Sequence, residues 1–251
     1  MTPDSFYEKS RLTPNSDLIS TVSKMIEAGA DIIDIGASST RPNAATPSAE
    51  IELERLKDVL PLLRSAFPNT LLSIDTFYSE VAEFALKNGV DIVNDISGGQ
   101  FDPELWNVLA KHKATYILTY HRGEKFNQGT SYVKDHFMMD VLRYFSEKIA
   151  QLEKLGIHNI LLDPGFGFGK TIEENYQLIQ SFDMLQLFEK PILVGISRKS
   201  MIRELTHVNT ENSLNGSTAL HALLYTKNTH VFRVHDVKEM NEVRILMQAC
   251  L

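Results

Sequence analysis

One cysteine is present, Cys250, and it stands next to the C-terminus. A lone thiol cannot close an intramolecular disulfide, so a reducing compartment is expected. No apolar run reaches the ~18 residues that span a bilayer, and the first residues lack the basic-then-apolar order of a secretion signal. A cytoplasmic protein is the expectation. Basic residues are in deficit: 25 Lys and Arg face 32 Asp and Glu, a formal net charge of −7. That balance argues against nucleic acid or an anionic membrane as the main partner, yet leaves room for a local basic site that takes a small anion. Low-complexity segments, linkers and domain boundaries are lacking too. With 251 residues, 43% of them hydrophobic, the chain suits one large α/β domain covering residues 1–251.

What is there centres on Leu161-Leu162-Asp163-Pro164-Gly165-Phe166-Gly167-Phe168-Gly169-Lys170-Thr171. An apolar run ends in an acid, then a proline, then glycines at alternate positions, as a buried parallel strand does when it opens onto a functional loop. Glycine there permits positive φ and close approach of backbone to a flat or anionic ligand. A Walker A loop would need Gly where Pro164 stands, and a dinucleotide fingerprint needs G-x-G-x-x-G where this run is G-x-G-x-G. Both are excluded.

Around this stretch, β patterns alternate with helical ones. Strands are expected at 31–36, 71–76, 90–94, 114–120, 160–163, 191–196 and 230–236. Helices are expected at 17–28, 48–67, 79–87, 103–112, 173–180 and 217–225, with a long one ending near Leu155 and a last one from about Lys238. Repeated β-then-α units predict a parallel sheet, and so many in this length favour a (β/α)8 TIM barrel over a doubly wound sheet. Seven strands do not close such a barrel, because strand number, tilt and shear are coupled. The first strand is therefore expected upstream of Met1.

The strand ends carry polar groups: Ser39, Thr40 and Arg41; Asp75; Asn94 and Asp95; His121 and Arg122; Asp163; Ser197 and Lys199; Arg233 and His235. Such barrels place their sites at that end. Asp75, Asn94 and Asp163 offer carboxylate and amide groups suited to a flat, nitrogen-rich ring. Arg41, Arg233 and His235 form a cationic group suited to phosphate oxygens, and Lys199 is a point charge placed between the two sets. Each has a bland alternative: Asp75 and Asn94 as caps, Thr40-Arg41-Pro42 as a solvated loop, Lys199 and Arg233 as surface cations, His235 as a satisfied core histidine.

Over nearly its whole length the sequence resembles the dihydropteroate synthase family of pterin-binding enzymes. The blocks that carry the resemblance are T-P-D-S-F at 2–6, I-D-I-G-x-x-S-T-R-P at 33–42, S-I-D-T at 73–76, V-N-D-I-S-G-G at 93–99, D-P-G-F-G-F-G-K at 163–170, G-I-S-R-K-S at 195–200 and R-V-H-D at 233–236. The resemblance implies a transferase of folate biosynthesis and a sulfonamide target. It condenses p-aminobenzoate with 6-hydroxymethyl-7,8-dihydropterin pyrophosphate and releases pyrophosphate with help from Mg²⁺. By matched position it implies that Asp75, Asn94 and Asp163 hold the pterin and that Lys199 contacts it and the aminobenzoate side. Arg233 and His235, with the dipole of the helix that follows, would bind pyrophosphate, joined by Arg41. Thr40, Pro42 and Ser197 would line the p-aminobenzoate pocket, Phe168 the substrate site, and Phe6 would close over it. Asp75, Asp163 and Lys199 carry the catalytic expectation, Asp75 and Asp163 by stabilising a pterin-centred cation. A homodimer built on the outer helices is implied as well.

Two departures matter. The family block usually reads L-N-V-T-P-D-S-F, with the Asn as a metal and pyrophosphate contact, whereas here Met1 stands at the Val position. A GTG codon taken as initiator would explain that, and no metal ligand is then expected within this chain. Tyr120 occupies the place of a usual His in Leu118-Thr119-Tyr120-His121-Arg122-Gly123, so His121 is read as a packing residue. Two alternatives are weighed. A methyltetrahydrofolate–corrinoid methyltransferase type of barrel needs neither S-T-R-P nor S-R-K. A non-catalytic pterin-binding paralogue draws its only support from the missing strand.

Overall fold

The computed structural model describes residues 15–37, 47–121 and 137–251. Two compact units make up the chain: one runs to Ile117 and takes in Leu155–Asn159, and the other comprises Leu118–Lys154 and Ile160–Leu251. No helix among the described residues is long and apolar enough to cross a membrane.

In the first unit, α1 (Asn15–Glu27) ends where the Gly29 amide bonds Ile26 O at 2.9 Å, the stop expected at that glycine. β1 (Ile32–Gly36), β2 (Leu71–Asp75) and β3 (Ile92–Asp95) lie side by side and parallel. The register sets Gly36 opposite Asp75 and Asp75 opposite Asn94, so two of the three expected pterin residues, Asp75 and Asn94, share one end of the ladder. Every residue of β3 and the last four of β2 are buried, which is why these strands read as continuous apolar runs rather than alternating ones.

The single helix expected over 48–67 is two helices, α2 (Ala49–Leu56) and α3 (Val59–Ala66). Pro61 is the cause. It has no amide to offer the Lys57 carbonyl and its ring crowds that group, so the helix restarts with the proline in its first turn. At the far end of α3, Arg64 donates to Gly89 O (2.6 and 3.0 Å), Asp91 Oδ2 (2.8 Å), Pro68 O and Thr70 O. Asp91 Oδ2 also accepts the Leu72 amide at 2.9 Å, so one guanidinium and one carboxylate fix where β2 and β3 begin. α4 (Ser79–Lys87) and α5 (Leu105–His112) follow, and Leu105 and Leu109 of α5 are buried.

β4 (Thr115–Thr119) passes from the first unit into the second. The second unit continues with α6 (Phe137–Lys154), β5 (Ile160–Asp163) and α7 (Ile172–Gln180). The Thr171 hydroxyl accepts the Glu174 amide while the Glu174 carboxylate accepts the Thr171 amide, a reciprocal cap that starts α7. After a 3₁₀ turn (Phe182–Phe188) come β6 (Leu193–Val194), α8 (Ser200–Thr206), α9 (Leu214–Tyr225), β7 (Val231–Phe232) and α10 (Val237–Cys250). β6 and β7 pair in parallel over two residues each, shorter than the runs expected from sequence. α8 was not anticipated: its seven residues follow directly on the S-R-K turn and bury only Met201 and Ile202. The seven described strands match the number expected.

Candidate functional site

Two clusters of expected residues form, one in each unit. In the first, Asp75 and Asn94 are buried on adjacent strands. The Asn94 side-chain amide donates to Asp34 Oδ2 at 3.3 Å. Asp34 was not singled out from the sequence. Its position in I-D-I-G, within a strand that otherwise reads as core, was the signal that could have found it. The neighbouring Asp95 serves the fold instead. Its carboxylate accepts the amides of Ser97 and Gly99 and the hydroxyl of Tyr116, all at 2.7 Å. Burial pushes the Asp95 carboxyl up and those bonds oppose the rise. Successive strand residues point to opposite faces, which explains how Asn94 and Asp95 take different roles.

In the second unit, Asp163 ends β5 and accepts the Gly165 amide at 2.7 Å. Full burial pushes its carboxyl above the usual range; Lys199, the Gly165 amide, Lys170 and Arg233 pull the other way. Gly165, Gly167 and Gly169 all have positive φ (68°, 79° and 59°), as the loop reading expected. At Gly165 nothing larger fits: a Cβ would stand 2.3 Å from Tyr120 O. Lys170 stitches this loop together, its ammonium donating to Gly165 O (2.6 Å), Phe168 O (3.2 Å) and Tyr120 O (3.3 Å) while lying 4.7 Å from the centre of the Tyr120 ring. Lys199 donates to Phe166 O and stands 4.3 Å from the centre of the Phe168 ring. Lys199 is thus held at the glycine loop beside Asp163, not free on the surface. His121 packs its ring 6.4 Å from that of Phe168, consistent with the packing role given to it.

Ser197 and His235 meet. The Ser197 hydroxyl accepts the His235 amide at 3.3 Å and lies 3.1 Å from Nδ1. A hydroxyl that accepts from the amide and donates to Nδ1 leaves the ring proton on Nε2, where it can serve an anionic oxygen. The expected cationic character of His235 is corrected here. Burial, aided by Arg233, Arg198 and Lys199, draws its imidazole down to about 4 against the pull of Asp236, so it is neutral near pH 7. Arg233, directly after β7, lies two residues before His235, its amide bonded to Val194 O at 2.9 Å. Phe6, Thr40, Arg41 and Pro42 lie outside the described residues. Among the described residues, no group of three or more His, Cys, Asp or Glu is placed to hold a metal ion.

One cluster sets buried carboxylate and amide groups at the ends of parallel strands, and the other sets a buried carboxylate beside a glycine loop; the chain belongs to the family described as pterin binding enzyme, whose model matches residues 1–235. Its relatives include dihydropteroate synthases. That of Escherichia coli (strain K12) is 38% identical over 253 residues, covering all of this chain and 89% of the relative. The structure of the Yersinia pestis dihydropteroate synthase with a sulfonamide drug superposes with a TM-score of 0.90 at 35% identity, covering 99% of this chain and 90% of that one. The Clostridium difficile dihydropteroate synthase in the presence of pteroic acid gives 0.88 at 33%, covering 99% and 93%. The fold class is the TIM barrel of those structures.

Proposed function

We infer that this chain is a dihydropteroate synthase of folate biosynthesis, joining p-aminobenzoate to 6-hydroxymethyl-7,8-dihydropterin pyrophosphate. The match that carries this reading is the full-length one, 38% identity with every residue of this chain covered. In the reaction the C–O bond to pyrophosphate breaks, its electron pair leaving on the pyrophosphate oxygen. The aminobenzoate nitrogen forms the new C–N bond and loses a proton, so no protein nucleophile is required.

The residue roles are part of the proposal. Asp163, kept dry in its loop, accepts a ring N–H of the pterin, as do Asp75 and Asn94 in their own cluster; the two carboxylates stabilise positive charge as the C–O bond loosens. Lys199, held by Phe166 O and the Phe168 face, is assigned the contact with both substrates. Arg233, the Nε2–H of His235 and the N-terminus of α10 supply donors for the departing pyrophosphate. Mg²⁺ is proposed as the cofactor because it would neutralise pyrophosphate charge. A cation of that kind is commonly held by one or two carboxylates and the substrate's own phosphates rather than by a protein cage. A cytoplasmic location is proposed from the lone cysteine, and a homodimer from the exposed Leu205, Leu223, Ile245 and Leu246 on α8, α9 and α10, helices of the second unit.

Pyrophosphate release from the two substrates with Mg²⁺ tests the reading. Turnover that needs both substrates is the expected result. Pterin binding with no turnover would move the chain to a binding role.

A further inference from the structure

Two residues of the strand-end blocks have no role in the scheme above: Arg198 in G-I-S-R-K-S and Asp236 in R-V-H-D. Arg198 adopts a left-handed backbone, φ 56°, which a long side chain reaches only against steric resistance. Its amide donates to Ser217 Oγ at 3.0 Å, and that hydroxyl donates to Ser213 O at 2.9 Å. The guanidinium is buried and engaged on two sides. Nε and Nη2 each donate to one oxygen of Asp236, both at 2.8 Å, while Nη1 donates to Thr210 O (2.7 Å) and Glu211 O (2.9 Å). Only 5% of the Arg198 side chain and 12% of that of Asp236 are exposed.

Asp236 is the residue from which α10 departs, and an aspartate there ordinarily accepts an amide of its own helix. It makes no such bond. The carboxylate is given over to Arg198. A buried ion pair is weak ground for stability, since well-packed apolar side chains often serve as well. A pair kept at the expense of a helix cap, on a strained backbone, between two binding segments, points to placement of those segments instead.

We propose that Arg198 and Asp236 form a positioning clamp that ties the end of β6 to the end of β7. The left-handed turn at Arg198 sends its own side chain to the clamp and leaves the residues on either side for the substrates: Ser197 against His235, Lys199 against the glycine loop. With the clamp closed, the group that meets p-aminobenzoate and the groups that meet pyrophosphate keep a fixed separation. Arg198 and Asp236 are positioning residues; neither is assigned a contact with substrate. Only guanidinium serves, because it reaches two carboxylate oxygens and two carbonyls from one plane.

The inference rests on the synthase reading, and the test separates the two. The full chain is compared with Arg198→Ala, Arg198→Lys, Asp236→Asn and Ser217→Ala, each normalised to folded protein by circular dichroism, with kcat and both KM values measured. Silence of the wild type would sink the reading, and the clamp with it. With a live wild type, Arg198→Ala and Asp236→Asn are expected to lose roughly 10- to 100-fold in kcat per folded molecule, the scale set by small misplacements of reacting groups. Arg198→Lys should not recover it, whereas millimolar guanidinium should recover Arg198→Ala and leave Asp236→Asn unchanged. Ser217→Ala loses only the backbone anchor and should show a smaller fall in the same direction. It carries the test if the charged variants do not fold. Unchanged kcat and KM per folded molecule, with any loss of activity accounted for by a smaller folded fraction, would overturn the clamp.

Discussion

Asp163 shows how one residue can serve binding at the expense of comfort. A fully buried carboxylate whose proton affinity is raised contributes less to stability once it ionises, because the folded state then resists losing the proton. Asp163→Asn removes that charge and keeps an oxygen for the Gly165 amide. Activity is expected to fall by roughly 100-fold or more, the consequence of leaving a ring donor facing the wrong group, about 3 kcal/mol. The thermal midpoint should stay near that of the wild type, and a midpoint that collapses with activity would reassign Asp163 to the fold. His221, which is buried, and the half-buried His235 behave in the opposite sense. His221, packed edge-on against Phe232 and with Nε2 unpartnered among the described residues, is held down to about 4 chiefly by burial, as His235 is. Both bind a proton more readily when unfolded, so stability is full above about 6.5 and is lost as pH falls toward 4. Between pH 7.5 and 5 each histidine should cost roughly 2 kcal/mol. Urea melts across that range should show the slope, and His221→Phe should flatten it; an equal slope in that variant would contradict the assignment. None of this was legible from the residue types. His235 reads as a cation until burial is known, and Asp34 reads as one more strand residue until Asn94 is seen bonded to it.

At the scale of elements, the glycine loop was the best-read part of the chain. Its residues permit few conformations, and the structure has the positive φ values that alternate glycines invite. Gly165→Ala forces both a positive φ and a collision with the Tyr120 carbonyl, so the loop must shift. A loss of at least ~2 kcal/mol in stability is expected, with weakened pterin binding measured by calorimetry. Wild-type affinity in that variant would show the loop to be dispensable. Where periodicity misled, a local cause outweighed it. Pro61 divides an apolar stripe that runs on across the break between α2 and α3. α8 is too short to set up a repeat, and it follows a turn whose geometry depends on Arg198 meeting a side chain 38 positions away. Pairings of that kind leave no local trace in a sequence.

For the whole molecule, strand number and the parallel β-then-α order were legible because burial on both faces leaves long apolar runs. The self-association proposed above has a direct test. α9 and α10 pack on each other and leave Leu223, Ile245 and Leu246 exposed. Ile245→Glu with Leu246→Glu should convert a dimer to a monomer in sedimentation velocity while circular dichroism is retained. A wild-type monomer at micromolar concentration would remove this surface from consideration.

Lys170 and Lys199 both end at carbonyl oxygens of the same glycine loop, yet they face different futures when a reagent arrives. The amine of Lys170 is shared among three carbonyls and shielded by an aromatic face, so it is the loop's fastener and has little left to give an electrophile. The Lys199 amine bonds one carbonyl of the loop and rests on the Phe168 face, against the three carbonyls that hold Lys170. In a mass-spectrometric footprint with an acylating reagent, Lys199 should label faster than Lys170 and be protected by bound pterin. Lys170 should label only as the protein unfolds, which makes it a built-in reporter of loop opening; equal labelling of the two lysines in the native state would contradict the fastener.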